Sequence, residues 1–540
     1  MSMESIKIYD TTLRDGAQAE GISFSKADKL RLAERLDSIG MPYIEGGWPY
    51  SNPRDAEFFQ EARRLTFRSA KLVAFGSTRR RETRAENDEN LRALLETSAP
   101  AVAVFGKAWL LHVSGVLHAA PEENLDMISE SCSFLVREGR EVIFDAEHFF
   151  DGWKDDPGYA EKVLLRAAEA GVSCVTLCDT NGGAMPTEII RVCSAVRALL
   201  PASIRLGIHC HNDSDLAVAN SILGVRNGVT LVQGTVNGFG ERSGNANLCS
   251  IIPALQIKAG YRCLPEDRIR QLKSLSAFVD DLANIRHNPR MPYVGDSAFA
   301  HKGGMHVNAV EKDPSTFEHI APELVGNRRR ILISDLSGKS NLMMKAAELR
   351  LPIGDPAKVQ KVLDILKEKE NAGYEYEAAD ASLTVLVHKT LHDWNPYFTL
   401  EGFRVIVEKR KLESGATIAE ATVKLSVNGV SELTAAEGEG PVNALDLALR
   451  KSLERFYPEI RGIHLVDFKV RILEGVNGTA ARTRVLIEST DGRTFWGTVG
   501  LSENIIQASW EALVDSVEYA LYRKHAGSAA REAENKENSL

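Results

Sequence analysis

The sequence lacks the features that mark several large classes of protein. No segment approaches the roughly 20 consecutive apolar residues of a membrane span. The N-terminus has no basic stretch followed by an apolar one, so we expect no export signal and a cytoplasmic location. The seven cysteines contain no CxxC pair, which predicts buried thiols rather than disulfides or a zinc site. The formal net charge of -9 argues against nucleic acid as a partner, and against a polybasic membrane surface.

What is present is a long chain with a regular rhythm over its first half. Its 540 residues are too many for one core, so we expect two or three domains. Eight short apolar segments alternate with amphipathic ones, as expected for strands covered on both faces. The predicted strands are 6–10, 43–47, 71–77, 101–106, 141–147, 174–180, 205–211 and 231–238. This count favours an α/β fold with a (β/α)8 TIM barrel. A doubly wound open sheet is the alternative, but its frequent Gly-rich phosphate loop is missing.

The rhythm changes twice after the barrel, which predicts the remaining domains. We assign residues 1–270 to the barrel and 271–375 to a helical connecting subdomain. Residues 376–525 contain two related units, each a strand, a turn, a strand or loop, and then a helix, which predicts an α+β regulatory domain with a twofold internal repeat. The polar residues 526–540 lack an apolar face, so we expect a disordered tail.

Polar residues that follow three of the strands predict a metal site. His209 and His211 are two apart on the seventh strand, so their rings leave the same face at the barrel rim. Asp15 follows the first strand and Asn245 follows the eighth, and closure of a barrel brings these strands together. Such mixed ligands suit a divalent cation, Mg or Mn in the cell and Zn or Co as possibilities, with positions left for a 2-keto acid. The alternative is that the histidines are packed or rim residues.

Three neighbours of this site acquire roles, each with a simpler alternative. Arg14 can stabilise the alkoxide that forms when a keto carbonyl is attacked, or it pairs with a rim carboxylate. Glu147 can act as a general base or orient one, or it is a solvated rim charge. Thr180 can hydrogen-bond a substrate carboxylate, or it caps a helix.

Four motifs, in order and at these strand ends, carry a resemblance to a known family. They are DTTLRDGAQ (10–18), LCDTNGG (177–183), HCHND (209–213) and GFGERSGN (238–245). The chain resembles the DRE-TIM metallolyase family, and within it the 2-isopropylmalate, homocitrate and citramalate synthases. The resemblance covers nearly the whole chain, and the C-terminal repeat looks like the leucine-type allosteric domain. Segments such as FDAEHFFDGWK (144–154) most resemble the long bacterial citramalate synthases.

The resemblance implies an activity and a set of partners. The implied reaction is a Claisen-type condensation of acetyl-CoA with pyruvate, followed by thioester hydrolysis, which gives (R)-citramalate and CoA on the way to isoleucine. Gln18 would join Arg14 and Thr180 in binding substrate. The implied assembly is a homodimer, regulated by a branched-chain amino acid such as isoleucine. Alternatives are 2-isopropylmalate or homocitrate synthase, a retro-Claisen lyase of the same family, and a non-catalytic amino-acid sensor.

Two positions outside the barrel bear on this resemblance. His306, in HKGGMH, matches a family histidine that assists the base, often from the partner subunit. Its alternative is a packed loop histidine. Phe317 stands where the family often has a tyrosine, so the hydroxyl and any proton relay that depends on it are missing here.

Overall fold

The computed structural model describes residues 4–333, 338–351, 353, 355–391, 394–409, 417–473 and 481–537. Contacts divide the chain into two units. One, the barrel unit, contains residues 1–299 and 318–329, and the other, the C-terminal unit, contains residues 300–317 and 330–540. The region 271–375, predicted as one connecting subdomain, is therefore divided between the two units.

The barrel unit confirms the predicted fold. Its eight parallel strands form a closed barrel in sequential order, with β1 paired to both β2 and β8. Closure aligns Asp10 at the end of β1 with Gly234 at the end of β8, so the loops that carry Asp15 and Asn245 begin side by side. The strands are β1 Lys7–Asp10, β2 Tyr43–Gly47, β3 Lys71–Ser77, β4 Ala101–Lys107, β5 Glu141–Glu147, β6 Cys174–Asp179, β7 Arg205–Cys210 and β8 Leu231–Gly234.

Helices surround these strands and bury their apolar faces against them. The first begins with a capping box, in which Ser25 accepts from the backbone N–H of Asp28 and the Asp28 carboxylate accepts from the backbone N–H of Ser25. The helices are α1 Lys26–Ser38, α2 Pro53–Ala62, α3 Glu89–Glu96, α4 Leu110–Gly115, α5 Pro121–Arg137, α6 Phe149–Asp155, α7 Pro157–Glu169, α8 Pro186–Leu199, α9 Ala217–Arg226, α10 Leu248–Pro253 and α11 Leu272–Leu282. Short 3-10 turns are Gly16–Gln18, Ala85–Asn87, Val236–Gly238, Ile269–Gln271 and Pro322–Val325, and Ala254–Lys258 is a π-helical turn.

The C-terminal unit contains helices followed by two antiparallel three-stranded sheets. A short parallel pair, β9 with β10, flanks the first of these helices in the chain. The elements are β9 Ala300–His301, α12 Gly304–Lys312, β10 Arg330–Ile331, α13 Lys339–Leu349, α14 Pro356–Ala372, α15 Asp380–Leu391, β11 Thr399–Lys409, β12 Thr417–Val427, β13 Val430–Gly438, α16 Pro441–Leu453, β14 His464–Ile472, β15 Thr483–Thr490, β16 Phe495–Ser502 and α17 Ile505–Glu537, with 3-10 turns at Pro314–Thr316 and Pro458–Gly462.

The two sheets confirm the predicted repeat and extend it. Each repeat is three antiparallel strands and a helix, β11 to α16 and then β14 to α17. The sequence predicted the middle strand and the helix of each repeat but not β11, β13 or β14. These three strands have long exposed stretches, so their apolar residues show less of a buried pattern.

The chain end differs from the predicted disordered tail at 526–540. The helix α17 continues through Glu537, and residues 538–540 lie outside the described residues. Alanine and glutamate, frequent in this segment, are strong helix formers, so a helix that is already nucleated can propagate without an apolar face. Among the residues that the structure describes, none of the helices is long and apolar enough to cross a membrane.

Candidate active site

Three of the predicted metal ligands meet at the carboxyl end of the barrel. Asp15, His209 and His211 each offer one ligand atom, and these atoms lie within 4.8 Å of one another. Nε2 of His209 lies 3.3 Å from Oδ2 of Asp15, and the two imidazole rings are 5.1 Å apart between centroids. All three side chains are buried. The alternation of a strand thus places both histidines as predicted, and barrel closure brings the carboxylate to them.

The three groups have different protonation preferences. Burial opposes ionisation of Asp15, but Arg14 and the two histidines outweigh it and hold the pKa of this carboxyl well below its usual range. Burial also disfavours a charged His209, yet its hydrogen bond to Asp15 raises the pKa of the ring. Burial and the neighbouring His209 lower the pKa of His211 to about 4. Near neutral pH the site therefore offers an anionic carboxylate and a neutral His211, the forms that ligate a metal.

Asn245, the fourth predicted ligand, lies next to His211. The two residues form an isolated β-bridge. Gly244 makes this approach possible because its φ is +94° and an added Cβ would lie 2.1 Å from the carbonyl oxygen of Gly238. The Asn245 amide donates to Phe239, whereas its buried Oδ1 accepts no hydrogen bond among the described residues.

These donors fit a divalent cation. Nδ1 of His211 and Oδ1 of Asn245 are both buried and have no hydrogen-bond partner in the described part of the chain. Buried polar atoms that lack a partner are costly, and a cation would satisfy them. A carboxylate, two imidazoles and an amide oxygen form the mixed N/O set that suits Mn²⁺ or Mg²⁺ and accepts Zn²⁺ or Co²⁺.

Arg14 lies beside this cluster and is fixed on three sides. Its Nε donates to Oε1 of Glu45 at 2.5 Å, and its Nη1 lies 3.3 Å from Oδ2 of Asp15. The guanidinium carbon sits 3.8 Å from the centroid of the Phe75 ring. Burial disfavours the charge, but Glu45 and Asp15 outweigh it and raise the pKa of Arg14. The sequence left two roles open for Arg14, catalysis or an ion pair with a carboxylate. In the structure Arg14 forms ion pairs with Asp15 and Glu45 and also lines the cavity.

A cavity of about 230 Å³ opens beside Arg14 and the three ligands. Three aromatic side chains form one wall, which we call the aromatic wall: Trp48, Phe75 and Phe105. The Phe75 and Phe105 rings stack at 5.4 Å, and Trp48 meets both edge-on at 5.8 and 5.5 Å. Gln18, at the end of the Gly16–Gln18 turn, also lines the cavity, as its predicted role in substrate binding requires.

Glu147 and Thr180 line the same cavity at the ends of β5 and β6. Glu147 forms a close ion pair with Lys107 at the end of β4 and is partly buried, so it is not a freely solvated charge. The Thr180 hydroxyl accepts from the backbone N–H of His148 at 2.9 Å, which leaves its own proton available to a ligand. Helix α8 begins after Met185, so Thr180 does not cap it.

His306 belongs to the C-terminal unit, where it lies on helix α12. Its ring stacks on Phe317, with the two centroids 4.2 Å apart. The residue that replaces the family tyrosine therefore contacts the histidine that is expected to assist the base. The role of His306 stays a prediction.

Several residues of the site were missed by sequence reasoning. Glu45 is fully buried in the middle of β2 and accepts hydrogen bonds from Tyr9, from Thr11 at 2.6 Å and from Arg14. Asp145 and Gln233 lie inside the barrel behind His209. A signal existed for all three, because each is a polar residue within an otherwise apolar strand, in YIEGG, EVIFDAE and LVQG.

Family models match almost the whole chain. The HMGL-like model matches residues 5–279, the homocitrate synthase post-HMGL domain-like model matches residues 293–373, and the LeuA allosteric (dimerisation) domain matches residues 377–521. The first covers the barrel with its candidate site, and the last covers both sheets.

Several relatives match this chain over nearly their whole length. The chain is 52% identical to an (R)-citramalate synthase of Aquifex aeolicus, covering 96% of this chain and 98% of that protein. It is 51% identical to an (R)-citramalate synthase of Geobacter sulfurreducens, with the same coverage of both chains. A probable 2-isopropylmalate synthase of Archaeoglobus fulgidus is 27% identical, covering 97% of this chain and 99% of that protein. Since the HMGL-like model matches residues 5–279 and the similarity to the first two relatives covers 96% of the chain, the chain belongs to the HMGL-like family, in its group of (R)-citramalate synthases.

Proposed function

We propose that the barrel unit condenses acetyl-CoA with pyruvate and hydrolyses the resulting thioester, which gives (R)-citramalate and CoA. The observation that carries the proposal is the cluster of Asp15, His209 and His211 beside Arg14, open to a small cavity at the carboxyl end of the barrel. Barrel enzymes place their active sites at this end. The identity of about one half to the (R)-citramalate synthases supports the choice of reaction.

Asp15, His209, His211 and Asn245 would hold a divalent cation, and Mg²⁺ or Mn²⁺ fits these donors. When bound, the cation acts as a Lewis acid that polarises the keto carbonyl of pyruvate. Arg14 would bind the same oxygen and stabilise the alkoxide that develops on it, since its guanidinium is already oriented by Glu45. Gln18 and Thr180 would hydrogen-bond the carboxylate of pyruvate from the cavity wall.

The condensation needs a base for the acetyl methyl group. We assign Glu147, at the cavity wall, to accept this proton or to orient the group that does. The methyl carbon then forms a bond to the keto carbon, and the keto oxygen takes up a proton. Water adds to the thioester carbonyl, the C–S bond breaks, and CoA leaves as the thiol. The sum is acetyl-CoA, pyruvate and water converted into citramalate, CoA and a proton.

Pyruvate is favoured over larger keto acids by the size of the cavity. The aromatic wall limits the space beside Arg14, and its rings support one another by edge and stacking contacts. A wall of this kind discriminates a single methylene by about 1–3 kcal/mol. Bulkier keto acids, the substrates of 2-isopropylmalate or homocitrate synthases, would then be poorer substrates.

The C-terminal unit supports assembly and regulation. Its match to the LeuA allosteric (dimerisation) domain supports a homodimer and control by a branched-chain amino acid, for which isoleucine, the end product of a citramalate route, is our choice. In such a dimer His306 would assist the base of the partner subunit. A biosynthetic role of this kind would be cytoplasmic.

A keto-acid panel tests the proposed function. The purified chain, loaded with Mn²⁺, is supplied with acetyl-CoA and pyruvate, 2-ketobutyrate, 2-ketoisovalerate or 2-ketoglutarate, and free CoA is followed. We expect the highest kcat/KM with pyruvate and (R)-citramalate as the product. Fastest turnover of 2-ketoisovalerate would assign the chain to the other synthases instead.

Two variants separate the site from the rest of the protein. Replacing Asp15 by asparagine should lower kcat/KM at least about 100-fold, because Lewis-acid stabilisation of this kind is worth several kcal/mol. The matched control is Asp126→Asn, an exposed aspartate on α5, which should leave the rate unchanged. Equal rates for the two variants would exclude this site.

A further inference from the structure

A line of buried polar side chains crosses the inside of the barrel behind His209. The Gln233 amide nitrogen donates to Oδ1 of Asp145 at 2.8 Å, and its oxygen lies 2.9 Å from Nδ1 of His209. Asp145 is on β5, His209 on β7 and Gln233 on β8. All three are at least nine-tenths buried, and Gln233 has no exposed surface.

Which atoms can donate and which can only accept determines the direction of each hydrogen bond between these side chains. An ionised Asp145 can only accept, so it must face the NH2 group of the amide. Burial and the charge of Glu45 raise the pKa of Asp145 to about 6, which leaves it ionised at neutral pH. Thr176 agrees with this direction, because its oxygen lies 3.4 Å from the same amide nitrogen. The amide oxygen of Gln233 is thereby turned towards His209.

The same logic fixes the tautomer of His209. An amide oxygen can only accept, so Nδ1 of His209 must carry the hydrogen. In the neutral ring Nε2 then holds the lone pair, and Nε2 is the atom that lies 3.3 Å from the carboxylate of Asp15. The lone pair of Nε2 and those of the Asp15 carboxylate therefore face each other. This arrangement is favourable only when a cation, either a proton or a metal ion, lies between them.

We propose that Gln233 and Asp145 are positioning residues that hold His209 with Nδ1 protonated and Nε2 directed at the metal. This inference rests on the proposed function only in taking the Asp15 cluster as the metal site. Asp145 orients the amide, and the amide orients the ring, so that no reorganisation is needed when the metal binds. Partners of this kind behind a ligating histidine typically contribute about 10- to 100-fold to metal affinity.

The alternative is that the line merely fills the barrel interior. Filling would be met equally by an apolar side chain, because burying an amide and a carboxylate carries a desolvation cost that only good hydrogen bonds offset. The two explanations differ in what a shape-conserving apolar substitution does. If the line is filling, methionine at 233 leaves the metal affinity unchanged, and if it is positioning, the affinity falls.

The test measures Mn²⁺ affinity of the full chain without substrates, from the electron paramagnetic resonance signal of free Mn²⁺. We expect Gln233→Met to weaken binding about 10- to 100-fold, and a cooperative thermal unfolding transition of the metal-free variant shows that it is folded. A folded Gln233→Met variant that binds Mn²⁺ as tightly as the parent would overturn the proposal.

A polarity swap provides the second arm. In Asp145→Asn combined with Gln233→Glu, the amide introduced at 145 donates to the carboxylate introduced at 233, which still accepts from Nδ1 of His209. The net charge and the direction of the hydrogen bond from Nδ1 of His209 are unchanged, so we expect most of the parent affinity to return. A folded swap variant that binds Mn²⁺ as weakly as Asp15→Asn would contradict the proposal, even where Gln233→Met does not fold. If the parent binds Mn²⁺ but does not turn over pyruvate, the proposed function is wrong, whereas this inference is unaffected.

Discussion

Replacing Phe105 by alanine would widen the cavity and leave the ring that supports Arg14 in place. Phe105 contributes a ring to the aromatic wall, whereas Arg14 rests on the neighbouring Phe75. Trp48, which meets Phe105 edge-on, is held independently because its indole N–H donates to Asn90 at 2.8 Å. The wall should therefore not collapse into the space that the phenyl ring leaves, and the space becomes available to substrate.

The magnitude follows from the size of the group that the space would accept. 2-Ketobutyrate carries one methylene more than pyruvate, and accommodating one methylene in an apolar pocket is worth about 1–3 kcal/mol, or about 10- to 200-fold. We expect the ratio of kcat/KM for 2-ketobutyrate over pyruvate to rise by this factor. Most of this change should come from a higher kcat/KM for 2-ketobutyrate, and a smaller part from a lower kcat/KM for pyruvate.

The assay is CoA release with each keto acid, measured side by side for the parent and two variants. The control is Phe67→Ala, another partly buried phenylalanine, which precedes β3 and so lies at the opposite end of the strand from the cavity. Its ratio should equal that of the parent. An unchanged ratio in Phe105→Ala, with the variant folded and active on pyruvate, would show that the aromatic wall does not select the keto acid.

Three further predictions follow from other parts of the chain. Burial raises the pKa of Asp10 to about 7, so ionisation of this carboxyl destabilises the folded state increasingly as the pH rises from about 4 to 7. Asp10→Asn should therefore have a higher thermal unfolding midpoint than the parent at pH 8.5. The difference between the two midpoints should be smaller at pH 5. Burial raises the pKa of all seven cysteine thiols, so a thiol reagent at pH 7.5 should label them slowly until the chain is denatured. If His306 acts across a dimer, mixed and re-associated His306→Ala and Asp15→Asn chains should regain about a quarter of the parent activity, whereas no recovery would place His306 in its own subunit's site.

The barrel could be predicted because its strands are buried on both faces. Tyr43–Gly47, Lys71–Ser77 and Glu141–Glu147 match the predicted bounds, since continuous apolar segments between turn signals leave little choice. The strands β11, β13 and β14 were missed because their exposed residues break that pattern. Helix α17 extends beyond its predicted end because propensity alone can continue a helix that packing has started.

The metal ligands could be predicted because topology alone brings them together. Strand alternation relates His209 to His211, and barrel closure relates both to Asp15, so no side-chain detail was needed. Glu45 and Gln233 could not be assigned in the same way. Their roles depend on which atoms meet inside the barrel, and one sequence does not reveal pairs such as Arg14 with Glu45 or Asp145 with Gln233.

The central claim is that a divalent cation binds between Asp15, His209 and His211. Crystals of the chain grown with Mn²⁺ and measured at wavelengths on both sides of the manganese absorption edge would locate the ion directly. The account predicts one anomalous peak per subunit, bonded to the Asp15 carboxylate and to both imidazoles and facing the cavity beside Arg14. A peak elsewhere, with these three side chains free of the ion, would contradict it.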